Sequence, residues 1–278
     1  MCCTCLRKGA EMGDFMNQYL SSASLKALAK GQLLGKYGTV IGAYLLHFLC
    51  AVPFGLAVTL FISTDTIWGT LIYCIALFLF GLLSGYFIAG ETYIYLKIAC
   101  NQTPYVSDLF HFFRGDTLKL FQVQAVLTAI DIICTLPSLL LSSHISQSLL
   151  SFDADMAAAG ALPVNASLFL VYIILYLAGT IINFYVHSLL FSQVFYLMLD
   201  FPEYTAPELL KRSARLMKGS KGRLLYISLS FVPLIILGAF SFGIAFLWLI
   251  PYMEAVNANF YLDLIRKSKN VKMNSEEL

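Results

Sequence analysis

The lysines and arginines of this chain follow an alternation. Six long apolar stretches run through its 278 residues, at 37–61, 67–96, 118–141, 167–199, 224–239 and 244–265. The segment before the first stretch and the gaps after the second, fourth and sixth hold 17 of the 18 basic residues, and the eighteenth, Lys119, stands at the entry to the third stretch. The gaps after the first, third and fifth hold none. A helix needs about 20 apolar residues to cross a bilayer, and Lys and Arg are retained on the cytoplasmic side. The pattern predicts an all-α fold: a polytopic membrane helical bundle of six transmembrane helices, arranged as three hairpins. Both termini then lie in the cytoplasm of a multi-pass cell-membrane protein.

Composition agrees. The chain is 59% hydrophobic and 12% charged, against about 25% charged in soluble domains. Residues 1–21 read as a cytoplasmic tail, 22–265 as the six-span domain and 266–278 as a second tail. No compact apolar run with a small-residue cleavage site opens the chain, so no cleavable signal peptide is expected. None of the seven cysteines lies in a predicted outer loop, which implies no disulfide framework. Cys2, Cys3 and Cys5 read as a solvated, reduced tail, or else as sites of lipidation or metal capture. The outer loops carry Asp65, Asp153 and Asp155, and a chance glycosylation triplet at Asn165, Ala166 and Ser167.

Each hairpin is preceded by a short amphipathic pattern. Leu25, Leu28, Ala29 and Leu33 form an apolar stripe with Lys26 and Lys30 beside it. Residues 107–113 make a shorter version, ended near Gly115. Before the fifth stretch Thr205 can cap, Pro207 fits the first turn and Glu208 suits the positive helix end. There Leu210, Ala214 and Met217 are expected to face lipid. Lys211, Arg212, Arg215 and Lys218 are expected to meet anionic head groups.

Further marks repeat. The first helix of each hairpin holds a proline (Pro53, Pro137, Pro233), and the second ends on an apolar-Tyr-Leu triplet around Tyr95, Tyr196 and Tyr261. Three copies of one unit are therefore expected. Gly38 with Gly42, and Gly81 with Gly85, permit close helix approach.

The run Pro207-Glu208-Leu209-Leu210-Lys211-Arg212-Ser213, then Leu216 to Gly219, Gly243-Ile244, Leu247 to Tyr252 and Asn259-Phe260-Tyr261 resembles the bacterial integral-membrane family called domain of unknown function nine-seven-five. The stretch from Leu25-Lys26 to Gly35-Lys36-Tyr37 is similar to that family's opening, and the likeness covers most of residues 22–265. The cysteine-rich start lies outside the pattern. The resemblance implies a multi-span membrane protein with no assigned activity and no catalytic residues to transfer. A more distant likeness is to the membrane portion beside some glycerophosphodiester phosphodiesterases.

Ionisable groups within apolar stretches are costly and mark candidate sites. His47, Asp131 and Glu254 fall near mid-membrane, and Glu91 and His187 nearer the cytoplasm. Glu254, Asn257 and Tyr261 share a helix face at spacings of three and four, three residues past the helix-loosening Pro251. They read as a proton- or ion-coupled site, a groove for a lipid head group, or interhelical hydrogen bonds that fix packing. Asn183 and His187 form a similar pair, and Asp131 could meet His47 or His187. A hypothesis is that Glu254 and Asp131 line one polar cavity.

No nucleophile elbow, zinc-binding helix or phosphate loop is present, so no enzyme, catalytic residue, metal or cofactor is expected. The basic run 211–223 reads as contacting membrane lipids, anionic at the cytoplasmic face, and not nucleic acid. A protein partner or homo-oligomer remains open. The reading is lipid or small-solute handling at the cell envelope, the alternative a non-catalytic accessory or scaffold subunit.

Overall fold

A computed structural model describes residues 19–64, 66–114, 117–150 and 166–276. Cys2, Cys3, Cys5, Asp65, Gly115, Asp153, Asp155 and Asn165, all named above, lie outside the described residues, as does most of the 1–21 tail with its basic residues Arg7 and Lys8. The described residues form helices and no strand.

Helix α1 (Ser22–Leu33) is capped by Ser21, whose side chain accepts from the Ser24 amide. Then come α2 (Tyr37–Phe61), α3 (Ile67–Ala99) and a 3-10 helix (Val106–Phe113). After α4 (Thr117–Leu150), α5 (Ala166–Phe184) runs into a π-helical segment (Tyr185–Leu190) and α6 (Val194–Asp200). The chain closes with α7 (Ala206–Leu216), α8 (Lys221–Leu229), α9 (Val232–Phe240) and α10 (Phe246–Glu276). Gly35 and Gly219 end α1 and the α7 turn at φ +77° and +85°, a conformation glycine adopts without steric cost.

Five helical stretches are long and apolar enough to cross a membrane: Tyr37–Phe61, Ile67–Ala99, Thr117–Ser142, Ser167–Asp200 and Lys221–Phe240. Only 6% to 22% of each apolar window is buried within the protein. Apolar surface on that scale needs a nonaqueous partner. The expected fifth span is interrupted, because α8 stops at Leu229 and α9 restarts at Val232. The expected sixth span is helical from Phe246, yet α10 is not among these stretches. Its polar residues face a protein core instead. Asn259 and Asp263 are buried beside Ala255, Ala258, Phe260 and Tyr261. Pro53, Pro137 and Pro251 sit inside continuous helices, so Pro251 does not interrupt α10 as the sequence implied.

The chain divides into two compact units. The first comprises residues 1–48, 85–120 and 189–278, and the second 49–84 and 121–188. The ranges of the first contain all 18 lysines and arginines, and those of the second none.

In the first unit α10 is the hub, packing against α1, α7 and α9. Leu25, Ala29 and Leu33 of α1 are fully buried, whereas Leu28 is 44% exposed. On α7 the buried line is Ala206, Leu209, Ser213 and Met217, with Leu210 and Ala214 half-buried. The apolar face therefore lies about one residue from its expected place. It packs on α6 and α10 rather than facing lipid.

In the second unit Phe54 stacks on Phe80 at 5.4 Å. Gln124 donates to the Gly81 carbonyl at 3.0 Å. A Cβ on Gly81 would collide with Thr128, so this glycine serves packing between α3 and α4. Gly38 has nothing within 4 Å of such a Cβ, and its predicted close approach is not observed.

Cys50, Cys74 and Cys134 are free thiols. Cys100 is disulfide-bonded, where the sequence implied no disulfide framework.

Candidate functional site

The polar residues of the first unit gather where α3, α6 and α10 carry their repeated tyrosines. Tyr95, Tyr196 and Tyr261 are 3%, 2% and 0% exposed. Tyr196 stacks on Tyr261 with ring centroids 5.0 Å apart, and Tyr95 lies within electrostatic reach of Tyr196. The triplets themselves are visible in the sequence. Their assembly in one core is not.

Around these rings lies a connected set. His47 on α2 stacks on Phe87 at 5.2 Å, and its Nδ1 sits 3.0 Å from the Glu91 carboxylate. Glu91 and Glu254 are close enough for their charges to interact. Asn257 hydrogen-bonds Glu254 one turn away on α10. Its Oδ1 accepts from Gln193 Nε2 at 3.2 Å. Gln193 is fully buried just before α6. Its Oε1 and the Tyr196 hydroxyl have no hydrogen-bond partner among the described residues. Both hydroxyl-bearing rings, Tyr95 and Tyr196, lie in the field of Glu254. Tyr261 turns elsewhere, donating to Asp200 Oδ2 at 2.6 Å.

The structure thus joins Glu254 to Asn257, and His47 to Glu91. It places Asp131 and His187 in the second unit, where His187 Nε2 lies 2.7 Å from Asp131 Oδ1, off the direction of a hydrogen bond. Of the two histidines the sequence offered it, Asp131 meets His187. His187 lies in the π-helical segment, whose wider turn changes the register expected for an Asn183–His187 pair. Sequence reasoning passed over Gln193. The available signal was an amide inside the apolar stretch 167–199.

Lys211, Arg212 and Arg215 are exposed on α7, opposite its buried line, and Lys218 is exposed in the turn that follows. The Arg212 guanidinium lies 3.6 Å from the Tyr204 ring centroid. Glu208 accepts from the Thr205 amide and hydroxyl, each at 2.9 Å. These bonds favour the carboxylate and hold Glu208 below its usual pKa.

Other basic groups cap helix ends. Lys36 donates to the Gln102 carbonyl at 3.1 Å, and Gln32 to that of Ala99 at 3.1 Å. Gln32 also accepts from Asn259 at 2.7 Å. Lys26 donates to the Ser230 carbonyl at 3.4 Å. Burial lowers the pKa of both Lys26 and Lys36. Lys97 meets Asp108 at 2.6 Å, tying α3 to the 3-10 helix. Among the described residues no three His, Cys, Asp or Glu side chains converge as metal ligands.

An all-helical chain with five helices of spanning length and apolarity is a multi-pass membrane protein by class. Within that class, the chain belongs to the family described as protein of unknown function (DUF975), whose model matches residues 16–268. No curated protein matches the chain, and no solved structure does.

Proposed function

We propose that this protein resides in the bacterial cell membrane as three helical hairpins entered from the cytoplasm. On this reading it handles a lipid or small solute without catalysis, through the cluster Glu91, Gln193, Tyr196, Glu254 and Asn257. The supporting observation is the pair of buried, unpartnered polar atoms, Gln193 Oε1 and the Tyr196 hydroxyl, beside two carboxylates. Burying an unpaired polar group costs about 1–3 kcal/mol, a penalty that a bound group removes. A carbonyl acceptor, a hydroxyl and two carboxylates with one histidine suit a ligand that donates hydrogen bonds and carries positive charge. Both termini and the exposed face of Lys211, Arg212, Arg215 and Lys218 are cytoplasmic, and that face attracts anionic head groups at about 1 kcal/mol per basic residue.

The test is mass spectrometry of the protein extracted with native lipids. A lipid or solute retained at near-stoichiometric level, and lost in Glu254→Gln or Gln193→Leu protein of normal yield, supports the reading. A stoichiometric protein partner with no selective small molecule would replace it with the accessory-subunit alternative.

A further inference from the structure

The third hairpin, α8–α9 and α10, differs from the others in length. Helix α2 has 25 residues and α3 has 33. At about 1.5 Å per residue they extend about 37 and 50 Å, beyond a hydrocarbon core of about 30 Å. Both legs of the third hairpin are tied to Lys26 of the basic helix α1. Its ammonium donates to the Ser230 carbonyl and lies 4.2 Å from the Phe231 ring centroid. Its own carbonyl accepts from the Tyr252 hydroxyl at 3.3 Å. Beyond Ser230 only α9 remains before the turn, nine residues and therefore about 14 Å. On the other leg Phe246 lies about 9 Å along the axis from Tyr252. Helix tilt only shortens the depth that these legs reach. With the Lys26 ammonium kept out of the hydrocarbon interior by its charge, the turn falls well short of the opposite interface.

The turn is built for that position. Phe240, Phe242 and Ile244 are 80%, 98% and 62% exposed, and Trp248 is 50% exposed. A turn in water would not present such a tip. Phe242 even holds φ +52°, followed by Gly243 at +86°. Every backbone N–H from Ser241 to Leu249 bonds inside the hairpin. The Ser241 amide bonds the Leu237 carbonyl, that of Phe242 bonds Ala239 and that of Gly243 bonds Gly238. Ala245 N–H takes the Ser241 hydroxyl at 3.0 Å, while that hydroxyl donates to the Gly238 carbonyl at 2.7 Å. Irregular backbone is tolerated in hydrocarbon where its polar groups find partners within the protein, and here all the donors do.

We infer that the third hairpin is re-entrant: it enters from the side of α1, turns at Phe240 to Ile244 within the bilayer, and presents those side chains to lipid acyl chains. This rests on the reading of the chain as a membrane protein, and the test separates the two.

The chain has two tryptophans, Trp68 at the start of α3 and Trp248 at the start of α10. Each serves as a depth probe in vesicles of phosphatidylcholine brominated near the carbonyl, at mid-chain or near the chain end. Three proteins are compared: Trp248→Phe, leaving Trp68; Trp68→Phe, leaving Trp248; and Trp68→Phe/Trp248→Phe/Phe242→Trp. The expected result is a quenching maximum near the carbonyl for Trp68, mid-chain for Trp248 and near the chain end for position 242. Maxima near the carbonyl for both Trp248 and position 242, with Trp68 also shallow, would overturn the re-entrant assignment and leave the membrane reading intact. No quenching of any probe would overturn both. The Trp248 measurement needs no change within the hairpin, so it stands if the Phe242→Trp protein fails to fold.

Discussion

The Arg223 guanidinium, at the start of α8, donates to the Asp263 carboxylate of α10 at 2.6 Å, and the Asp263 side chain is 1% exposed. Arg266 donates to the other carboxylate oxygen at 2.7 Å. Arg223 also reaches the Leu20 carbonyl at 2.7 Å, while the Leu20 amide points to Asp263 at 3.3 Å. One buried acid thus fastens the residues preceding α1 to α8 and α10. Removing one partner of such a pair costs about 3–5 kcal/mol because the other charge is left buried. Asp263→Ala is expected to destabilise the protein by that order, and Arg223→Met/Asp263→Leu by less. Thermal unfolding in detergent, followed by circular dichroism, measures both.

Gly90 of α3 lies against the 3-10 helix, where an added Cβ would collide with the Leu109 backbone. Backbone cannot swing aside, so Gly90→Ala is expected to cost about 1–3 kcal/mol as an overpacked contact. Gly38→Ala meets open space and should be neutral or stabilising by up to about 1 kcal/mol. The same melting experiment ranks the two, and equal losses would contradict the assigned packing.

Asp131 has His187 Nε2 2.7 Å from its carboxylate in the second unit. A lone carboxylate at a helix centre costs about 2.5–3.5 kcal/mol on insertion scales. His187→Ala is therefore expected to lower membrane-inserted yield more than His187→Ala/Asp131→Ala. A double mutant that inserts no better than the single one would show that the contact does not offset the charge.

Acid should loosen the first turn of α7. The Glu208 pKa is lowered in the folded chain by the bonds from Thr205. The cap's stabilisation is thus fully present above the ordinary glutamate value and is lost as pH falls through the lowered one. Amide exchange near Thr205 should accelerate across that window relative to exchange in α10, and Glu208→Gln should abolish the pH dependence.

The sequence revealed what local patterns encode. The cap at Thr205 and Glu208 located α7, and the period of Leu25, Ala29 and Leu33 located α1. Both follow from interactions within a turn or two. The same reasoning set Leu28 in the apolar stripe, and Leu210 and Ala214 toward lipid. It could not know that α10 would cover a neighbouring strip of each helix. The acids show the same divide. That His47, Asp131 and Glu254 would need partners followed from burial alone. That His47 takes Glu91, and Asp131 takes His187, depends on helix contacts across many residues. The sixth apolar stretch read as a span because its hydrophobic residues outnumber Glu254, Asn257, Asn259 and Asp263. The structure uses Asn257, Asn259 and Asp263 to join α10 to the elements around it, a role that composition does not separate from a polar stripe in lipid.

The packing of α1 on α10 sets an order of events during biogenesis. Leu25, Ala29 and Leu33 find their cover on a helix whose residues emerge more than 200 positions later. At synthesis rates of about 5–20 residues per second, α1 waits on the order of 10–50 seconds for that surface to exist. Until then its apolar stripe has only the head-group region or a chaperone to rest against. A helix made early is thus among the last to reach its native place, and a truncation before α10 would strand it there.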